Sequence, residues 1–398
     1  MNKLGLNDFQ VAGLKVLMRV DFNVPLDADR NITDDTRITA ALPSIKHILS
    51  NGGSVILMSH LGRPKGKIDQ DLTLRPVADR LAELVDAPVK FALDTVGPDA
   101  VQKASGLKTG EVLLLENLRF NPGETENDSG FAAGLAQLGD AYVNDAFGTA
   151  HRAHASTVGV TKHFETCRAG FLMEKELKNL GVLLGEPQRP FVAILGGAKV
   201  DGKVEIILNL LEKVDTLLLG GGMIFTFFQS AGLNIGSSLL DEKSLDVVKE
   251  ITVRAKDSRA DLILPTDCIV AKEFSDKSER KDVLVTDIPS DWMGLDIGPA
   301  STESYREIIS GAKTIFWNGP MGVFELPSFE TGTRMVAEAV AEASEEGALS
   351  VVGGGDSVAA ANQFGVSERI GHISTGGGAS LELMGGRQLP GIEALSDA

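Results

Sequence analysis

The chain has 398 residues, of which 43% are apolar and 23% are charged, a composition typical of an ordinary soluble globular protein. Its 38 basic and 55 acidic residues give a net charge of −17, which argues against nucleic acid as a nonspecific partner. The longest nearly apolar run, residues 216–228, is too short to span a bilayer, and a chain of this length predicts two domains.

The start of the chain and its cysteines bear on location. Residues 1–20 lack a basic region followed by an apolar stretch, so no signal peptide is predicted. Cys167 and Cys268 are far apart in sequence and lack metal-ligand spacing, which fits a reducing compartment. We expect a cytoplasmic protein with no membrane partner.

Charge is unevenly distributed along the chain. Residues 1–170 carry 18 basic and 21 acidic residues and five of the six histidines, whereas residues 171–398 carry 20 basic and 34 acidic residues. Two halves with different electrostatics suggest two different tasks, although ordinary variation of surface charge is an equally good explanation of this difference alone.

Short apolar runs, each followed by a loop and a helix-like segment, recur through both halves. Continuous apolar strands that alternate with helices predict parallel sheets covered on both faces. The fold class is therefore α/β, with two similar-sized Rossmann-like lobes, each a mostly parallel sheet flanked by helices. The predicted strands are 15–20, 54–59, 111–116 and 141–144 in the first half, and 191–195, 216–220, 261–265, 314–318, 350–352 and 372–374 in the second.

Two helices stand out in this pattern. The first lies in DDTRITAALPSIKHILSNGG (34–53). Asp34, Asp35 or Thr36 can cap its start and Gly52 can close its end. Pro43 lies inside it and should bend it. The second, residues 171–190, is rich in Glu and Lys at helical spacing and is predicted to connect the two lobes.

Unusual residues follow the strands, where ligands bind in open parallel sheets. Polar and basic side chains follow the first-half strands, and glycine turns follow those of the second half. This contrast suggests a compact phosphorylated acid facing a nucleotide. The first set comprises Asp21, Asn23, His60, Arg63, Arg119 and Arg152, and the second comprises the turns at 196–199, 220–223, 318–322, 353–356 and 375–378.

The arginines form the strongest candidate anion site. A guanidinium binds two oxygens of a carboxylate or phosphate and keeps its charge. A single strand-end arginine is more often a surface ion pair, but Arg37, Arg63, Arg119 and Arg152 together favour a ligand. The histidines of HRAHAST (151–157) lack a third metal ligand, so a structural role is favoured for each.

The lysines of GGAKVDGK are candidate phosphate contacts. Lys199 and Lys203 are four residues apart and would share a face of any helix that starts there. The segment lacks the P-loop pattern, and no strand is followed by a complete G-x-G-x-x-G.

Asp356 lies in VVGGGDSVAAA, a strand, glycine turn and helix start that would normally hold an anion. A carboxylate suits such a place if it holds Mg²⁺, which is commonly bound by one or two carboxylates and phosphate oxygens. The alternative is that Asp356 or Ser357 is a simple helix N-cap. The sequence leaves both interpretations open.

Taken together, the motifs closely resemble those of the phosphoglycerate kinase family, in order along nearly the whole chain. The stretches that carry the resemblance are RVDFNVP (19–25), TRI (36–38), SHLGRP (59–64), ENLRFNPGE (116–124), NDAFGTAHRAHAS (144–156), GGAKV (196–200), GLDIGP (294–299), WNGPMGVFE (317–325), GGGDS (353–357) and STGGGASLE (374–382).

The resemblance implies reversible phosphoryl transfer from 1,3-bisphosphoglycerate to ADP, with Mg²⁺, in a monomeric enzyme of two lobes and a hinge helix. It implies an N-terminal lobe at 1–172, a hinge helix at 173–187 and a C-terminal lobe at 188–385, with 386–398 packed back on the first lobe. Implied contacts to 3-phosphoglycerate are Asp21, Asn23, Arg37, His60, Leu61, Gly62, Arg63, Arg119 and Arg152.

The resemblance places Mg-nucleotide on the C-terminal lobe, with Asp356 as the metal ligand. Stabilisation of the transferring group is implied for Arg37, Lys199 and the amides of Gly376 to Gly378. The implied nucleotide contacts are Lys203, Gly221, Gly294, Asn318, Glu325, Gly354, Gly355, Asp356 and Ser357.

Two other function classes share parts of this pattern. A nicotinamide-dependent dehydrogenase would have similar parallel sheets, but the nucleotide fingerprint it needs is missing. A two-lobed binding protein would share a hinge but would not need a metal carboxylate and lysines opposite a set of arginines.

Overall fold

The fold comes from a computed structural model that describes residues 2–398. It divides into two compact units, described separately below. Unit one comprises residues 2–178 and Gln388–Ala398, and unit two comprises Asn179–Arg387. Among residues 2–398, every helix falls short of the length and apolarity that a membrane crossing requires.

Unit one is built on a six-stranded parallel sheet. The order across the sheet is β3-β4-β2-β1-β5-β6, and each neighbouring pair is parallel. Residues of β1, β2 and β4 are almost all fully buried, as expected for strands covered by helices on both faces. The strands are β1 (Lys15–Arg19), β2 (Ser54–Met58), β3 (Val89–Phe91), β4 (Val112–Leu114), β5 (Ala141–Asn144) and β6 (Cys167–Ala169).

Helices cover this sheet through apolar stripes at helical spacing. In the first helix, Ile38, Ile45 and Ile48 are fully buried and join the core formed with β1 and β2. Pro43 lies inside this helix as predicted. The helices are α1 (Thr36–Ser50), α2 (Arg75–Leu84), α3 (Pro98–Ser105), α4 (Pro122–Glu126), α5 (Ser129–Ala136) and α6 (Phe171–Leu184), the last of which contains the division between the units.

The predicted side-chain cap of α1 is not formed. Asp35 is the residue before the helix, but its carboxylate pairs with Arg80 at 2.7 Å. Asp34 accepts hydrogen bonds from the amide and hydroxyl of Thr36. The acidic residues at this end therefore shape the turn before the helix.

Unit two contains a second parallel sheet of six strands, ordered β15-β14-β13-β7-β8-β9. Val192, Ile194 and Trp317 from its central strands are buried in the core of this unit. The α/β class with a parallel sheet in each half is confirmed. The strands of unit two, including three that belong to a separate sheet, are β7 (Phe191–Leu195), β8 (Thr216–Leu219), β9 (Asp261–Ile263), β10 (Asp267–Ala271), β11 (Arg280–Leu284), β12 (Met293–Ile297), β13 (Thr314–Asn318), β14 (Leu349–Val352) and β15 (His372–Ile373).

The separate sheet is antiparallel, has the order β11-β10-β12, and is absent from the sequence prediction. Its edge strand β11 has the sequence RKDVL and is almost wholly exposed. Because its residues are mostly charged, the strand gives no apolar run from which a strand could be predicted.

Helices of unit two alternate with its strands. Val336, Ala337 and Val340 of the longest of them, α11, are buried in the same core as the parallel sheet. The helices are α7 (Val204–Leu211), α8 (Ile224–Ser230), α9 (Leu245–Asp257), α10 (Pro299–Ser310), α11 (Thr331–Glu345), α12 (Gly355–Gln363) and α13 (Gly378–Met384).

The last eleven residues return to unit one, where they form the short helix α14 (Pro390–Glu393). The amide of Gly391 donates to the carbonyl of Ala150 at 2.8 Å, and that of Leu4 donates to the carbonyl of Ser396 at 2.9 Å. Backbone hydrogen bonds therefore tie this segment to both an internal loop and the beginning of the chain.

Candidate functional site

The loops that follow β1 and β2 are fastened to one another. The hydroxyl of Ser59 accepts from the amide of Phe22 at 2.8 Å, and the side-chain oxygen of Asn23 accepts from the amide of Gly62 at 2.8 Å. Gly62 has a φ of +61°, which favours glycine. Leu61 is buried beside them. These contacts fix the backbone on which several predicted substrate residues stand.

Arg37 lies in the first turn of α1 and reaches Asp21, which follows β1. Its Nη1 lies 2.5 Å from Asp21 Oδ2, while Asp21 Oδ1 lies 3.8 Å from Nδ1 of His60. The Arg37 side chain is 38% exposed and that of Asp21 only 10%. The structure thus brings three predicted residues together, with the arginine still open to solvent.

A buried polar chain behind these residues was missed by the sequence analysis. Arg19, fully buried in β1, donates from Nε to Ser156 Oγ at 2.9 Å, and its Nη2 lies 3.1 Å from Nδ1 of His60. Ser156 Oγ donates in turn to Glu124 Oε1 at 2.7 Å. Arg19 is the charged residue that interrupts the apolar run VLMRV (16–20), and that interruption was the signal available in the sequence.

Arg119 is surrounded by positive charge. It is 8% exposed and donates from Nη1 to the carbonyl of Gly62 at 2.8 Å, but its buried Nε has no hydrogen-bond partner among residues 2–398. Burial, followed by the charges of Arg19 and Arg152, lowers the pKa of Arg119 to about 10. A guanidinium in this setting is stabilised by an added anion.

The other two predicted arginines are more accessible. Arg152 is half-buried, and its Nε lies 3.0 Å from Nε2 of His151, whereas Arg63 is exposed.

Among the described residues, the histidines near these arginines do not form a metal site. Burial and then the charge of Arg19 lower the pKa of His154 to about 3, so this ring is neutral at physiological pH. Within residues 2–398, no group of three His, Cys, Asp or Glu side chains has the arrangement of a metal site.

Unit two has a cavity of about 670 Å³ that contains four of the predicted nucleotide residues, Gly221, Gly294, Glu325 and Asp356. Glycines let the backbone approach a ligand closely, and apolar walls of this kind suit a flat aromatic base. The apolar side chains of the cavity include Ile224, Phe225, Leu239, Phe274, Met293, Leu295, Met321, Val323 and Leu326.

A second cavity, of about 210 Å³, is lined by the remaining predicted nucleotide contacts. Lys199 does not line it. Asp356 lines both cavities, so the two are neighbours. Lys203, the glycines and Ser357 supply the small polar environment that phosphate groups need. The second cavity is lined by Lys203, Asn318, Gly319, Gly354, Gly355, Asp356, Ser357, Gly377, Gly378 and Leu381.

Lys203 is held by Asn318. The amide nitrogen of Asn318 donates to the carbonyl of Gly353 at 2.7 Å, which turns its oxygen toward Lys203 Nζ at 2.8 Å. Burial lowers the pKa of Lys203 to about 8, while the nearby Asp356 acts in the opposite direction. An added anion would therefore stabilise the charged form of this lysine.

The predicted shared helix face of the two lysines is wrong. Lys199 lies in an exposed loop after β7, residues 201–203 form a single 3₁₀ turn, and α7 begins only at Val204. The glycines at 196, 197 and 202 allow the loop to extend before the helix starts. Lys199 therefore projects from a loop and makes no hydrogen bond to any residue from 2 to 398.

Asp356 and Ser357 do not cap α12. The residue before the helix is Gly354, with a φ of +93°, and Ser357 Oγ accepts from the amide of Gly319. A Cβ added to Gly354 would lie 2.7 Å from Nδ2 of Asn318, so a side chain there would disturb the lysine contact. The exposed carboxylate of Asp356 accepts no hydrogen bond from the described residues, which rules out the capping interpretation and leaves its oxygens open.

Gly376 and Gly377 lie at the start of α13. The amide of Gly376 donates to Ser374 Oγ at 3.1 Å. Gly377 has a φ of +41° and lines the smaller cavity. A role of these amides toward the transferring group stays a prediction.

Two further buried polar residues, Thr333 and Asp296, hold backbone segments near the larger cavity. Thr333 Oγ1 accepts from the amides of Met321 and Gly322 at 3.0 and 3.2 Å, and Asp296 accepts from that of Gly332 at 2.8 Å. Burial raises the pKa of Asp296 to about 8. Asp296 interrupts the apolar strand β12, which was the sequence signal for its role.

Comparisons with known proteins agree with one another. The family model described as phosphoglycerate kinase matches residues 6–387. Phosphoglycerate kinases of Pelodictyon phaeoclathratiforme and Chlorobaculum tepidum are each 55% identical over 397 residues, covering all of both chains.

Solved structures give the same result. The phosphoglycerate kinase of Coxiella burnetii superposes with a TM-score of 0.89 at 38% identity, and that of Pyrococcus horikoshii with 0.85 at 34% identity. Each comparison covers 98% of this chain and 98% of the other chain. On its sequence, its fold and the residues gathered at its strand ends, this chain belongs to the phosphoglycerate kinase family.

Proposed function

We propose that the chain carries out its family's reaction by direct in-line transfer, with the phosphoglycerate on unit one and the nucleotide on unit two. The family is a set of phosphotransferases that move a phosphoryl group from 1,3-bisphosphoglycerate to ADP in glycolysis. In the reverse direction, a carboxylate attacks the γ-phosphorus of ATP. Because a carboxylate is already ionised at pH 7, the step needs no general base and no covalent intermediate.

Arg119 is the residue that supports this proposal most directly. It is nearly buried, its Nε is unpaired among residues 2–398, and Arg19 and Arg152 add positive charge around it. Glu124 and Asp21 only partly offset this positive charge, so an added anion would stabilise the arginine. We infer that a phosphate or carboxylate of the substrate supplies the missing charge.

The remaining proposed substrate contacts surround the same strand ends. Arg37 is partly exposed while paired with Asp21, so it can bind substrate without leaving that partner. Arg63 and Arg152 are accessible, and the Asn23 oxygen is already committed to Gly62, so Asn23 acts by shaping the loop. The proposed set is Asp21, Asn23, Arg37, His60, Leu61, Gly62, Arg63, Arg119 and Arg152.

Magnesium fits the donor set at Asp356. The carboxylate is exposed, accepts no hydrogen bond from residues 2–398 and lines both cavities of unit two beside glycines that leave space. We propose that Asp356 holds Mg²⁺ and that Lys203, Asn318 and Ser357 organise the phosphate end of the site. When bound, the ion neutralises phosphate charge and so favours attack at phosphorus.

A coupled assay with ATP, Mg²⁺ and 3-phosphoglycerate tests the proposed function. ATP-dependent turnover that requires both the acid and the metal is the expected result. A nicotinamide-dependent dehydrogenase would give no ADP under these conditions, and a two-lobed binding protein would bind ligand without turnover. Absence of ADP formation with folded protein would refute the proposal.

Nucleotide binding should take up protons near pH 8. In the free protein Lys203 titrates at about 8, and an added phosphate anion stabilises its charged form and raises that pKa. Calorimetric titration with Mg-ADP in two buffers of different ionisation enthalpy measures the uptake. It should be largest above pH 8, between the pKa values of the free and bound forms, and small at pH 7, where the amine is already charged. In Lys203→Met the uptake should vanish.

Binding of both substrates should draw the two units together. The proposed ligand sets lie on separate units, and transfer requires the reacting atoms within bonding distance, so we propose that the units close when both ligands are bound. Small-angle X-ray scattering with 3-phosphoglycerate and Mg-ADP should give a smaller radius of gyration than the free protein. Either ligand alone serves as the control, and an unchanged radius with both ligands saturating would contradict closure.

We also propose a cytoplasmic monomer that does not bind nucleic acid. The net charge of −17 disfavours polyanions, and the sequence has no heptad seam for dimerisation. Light scattering should give the mass of one chain, 42.1 kDa.

A further inference from the structure

The buried guanidinium of Arg19 contacts one of the predicted substrate residues, His60. A completely buried guanidinium is rare, so its contacts are informative. Nε donates to Ser156 Oγ at 2.9 Å, and Nη1 donates to the carbonyl of Val20. Nη2 lies 3.1 Å from Nδ1 of His60, which is 4% exposed. Among residues 2–398, the hydrogen-bond partner of Nη2 is therefore a histidine nitrogen.

Hydrogen-bond polarity fixes the form of this histidine. A guanidinium has five N–H donors and no acceptor, so Nδ1 of His60 must be the acceptor. An Nδ1 that accepts carries no proton, which leaves the neutral ring with its proton on Nε2. The chain behind Arg19 is consistent with this direction, because Ser156 Oγ gives its own proton to Glu124 at 2.7 Å and can accept from Arg19.

The charges around His60 also favour the neutral ring. Burial, followed by the charges of Arg19, Arg119, Arg37 and His154, lowers the pKa of His60 well below its ordinary value. Asp21 is an acidic group that faces the ring, but its Oδ1 is 3.8 Å from Nδ1, beyond hydrogen-bond distance, and its Oδ2 is paired with Arg37.

We propose that Arg19 is a positioning residue that holds His60 as the neutral tautomer with its proton on Nε2. Unit one would then offer an anionic ligand one uncharged N–H donor among its arginines. Nε2 makes no hydrogen bond to any residue from 2 to 398, so it is the ring atom left for a ligand. That the ligand is a phosphoglycerate rests on the proposed function, whereas the tautomer does not.

Two-bond ¹H–¹⁵N NMR of the histidine rings tests the tautomer in the free, full-length protein. Spectra from pH 5.5 to 8.5 should show the His60 proton on Nε2 throughout, with the assignment made from the signals lost in His60→Gln. A proton on Nδ1, or a ring that titrates within this range, would overturn the proposal. Inactivity in the coupled assay would refute the proposed function and leave the tautomer result intact.

Substitutions test whether Arg19 causes this state. Arg19→Met should give mixed tautomers or a titrating His60 ring and raise KM for 3-phosphoglycerate about tenfold, with a much smaller change in kcat. Arg19→Lys, which also only donates, should restore the Nε2–H form. Arg30→Met is the matched control at an exposed arginine of the same unit and should change neither quantity.

Ser156→Ala provides a second route if Arg19→Met does not fold. It removes the contact that orients Nε while keeping the buried charge, so it should shift the His60 spectrum in the same direction by less. A folded Arg19→Met or Ser156→Ala protein with the unaltered wild-type tautomer and KM would show that Arg19 does not position His60.

Discussion

Arg37→Ala is expected to lower kcat by at least about 100-fold, which is the effect of losing one preorganised donor to a transition state. We propose that Arg37 and Lys199 bind the equatorial oxygens of the transferring phosphoryl group more tightly in the transition state than in either ground state. Arg37 is suited to this because Asp21 holds it at 2.5 Å while 38% of its side chain is exposed. Steady-state kinetics in the coupled assay measures the loss.

Two further variants make this result specific. Arg30→Ala removes an exposed arginine paired with Asp71 and should leave kcat unchanged. Arg37→Lys keeps the charge but loses the planar fork, so its activity should fall between those of wild type and Arg37→Ala. An unchanged kcat with only a raised KM in Arg37→Ala would mean that Arg37 binds the ground state and the transition state equally.

Asp356→Asn is expected to lower kcat/KM for Mg-nucleotide by about 100-fold or more. The variant keeps the size of the side chain but removes the charge that attracts a divalent cation, and metal ions contribute several kcal/mol to such steps. Each 1.4 kcal/mol corresponds to about a tenfold change in rate. Activity should recover in part at high Mg²⁺ concentration, and chelation with EDTA should abolish it in both proteins.

The matched control is Asp246→Asn, at a carboxylate that is 99% exposed on α9. This variant should retain the wild-type dependence on Mg²⁺. Thermal unfolding should be nearly unchanged in both variants, because the Asp356 carboxylate accepts no hydrogen bond from residues 2–398 and the exposed Asp246–Lys249 ion pair contributes little. A wild-type magnesium dependence in Asp356→Asn would exclude Asp356 as the metal ligand.

The parallel sheets were accessible from sequence because their strands are buried on both faces and so appear as continuous apolar runs. Strands such as β3, with the sequence VKF, and β6, with CRA, are too short and mixed to show that pattern. The antiparallel sheet was missed because the exposed β11 is stabilised by pairing with β10 and carries charges. Apolar sequence patterns indicate which strands are buried. They do not predict an exposed strand that is stabilised by hydrogen bonds to a neighbouring strand.

Candidate site residues could be predicted where the chain places polar groups directly after strands, as at Asp21 and Asp356. Their partners could not, because the contacts join distant segments. Arg37 meets Asp21 across 16 positions, and Lys203 meets Asn318 across 115. The helix around Lys199 was wrong because glycines allow the loop to continue where spacing alone favours a helix.

The return of residues Gln388–Ala398 to unit one sets an order of events during synthesis on the ribosome. Unit two is continuous in sequence from Asn179 to Arg387, so all of it has been translated before the final segment is available. The amides of Gly391 and Leu4 obtain their carbonyl partners only after that segment leaves the exit tunnel. The half of the protein that is translated first is therefore the half that is completed last.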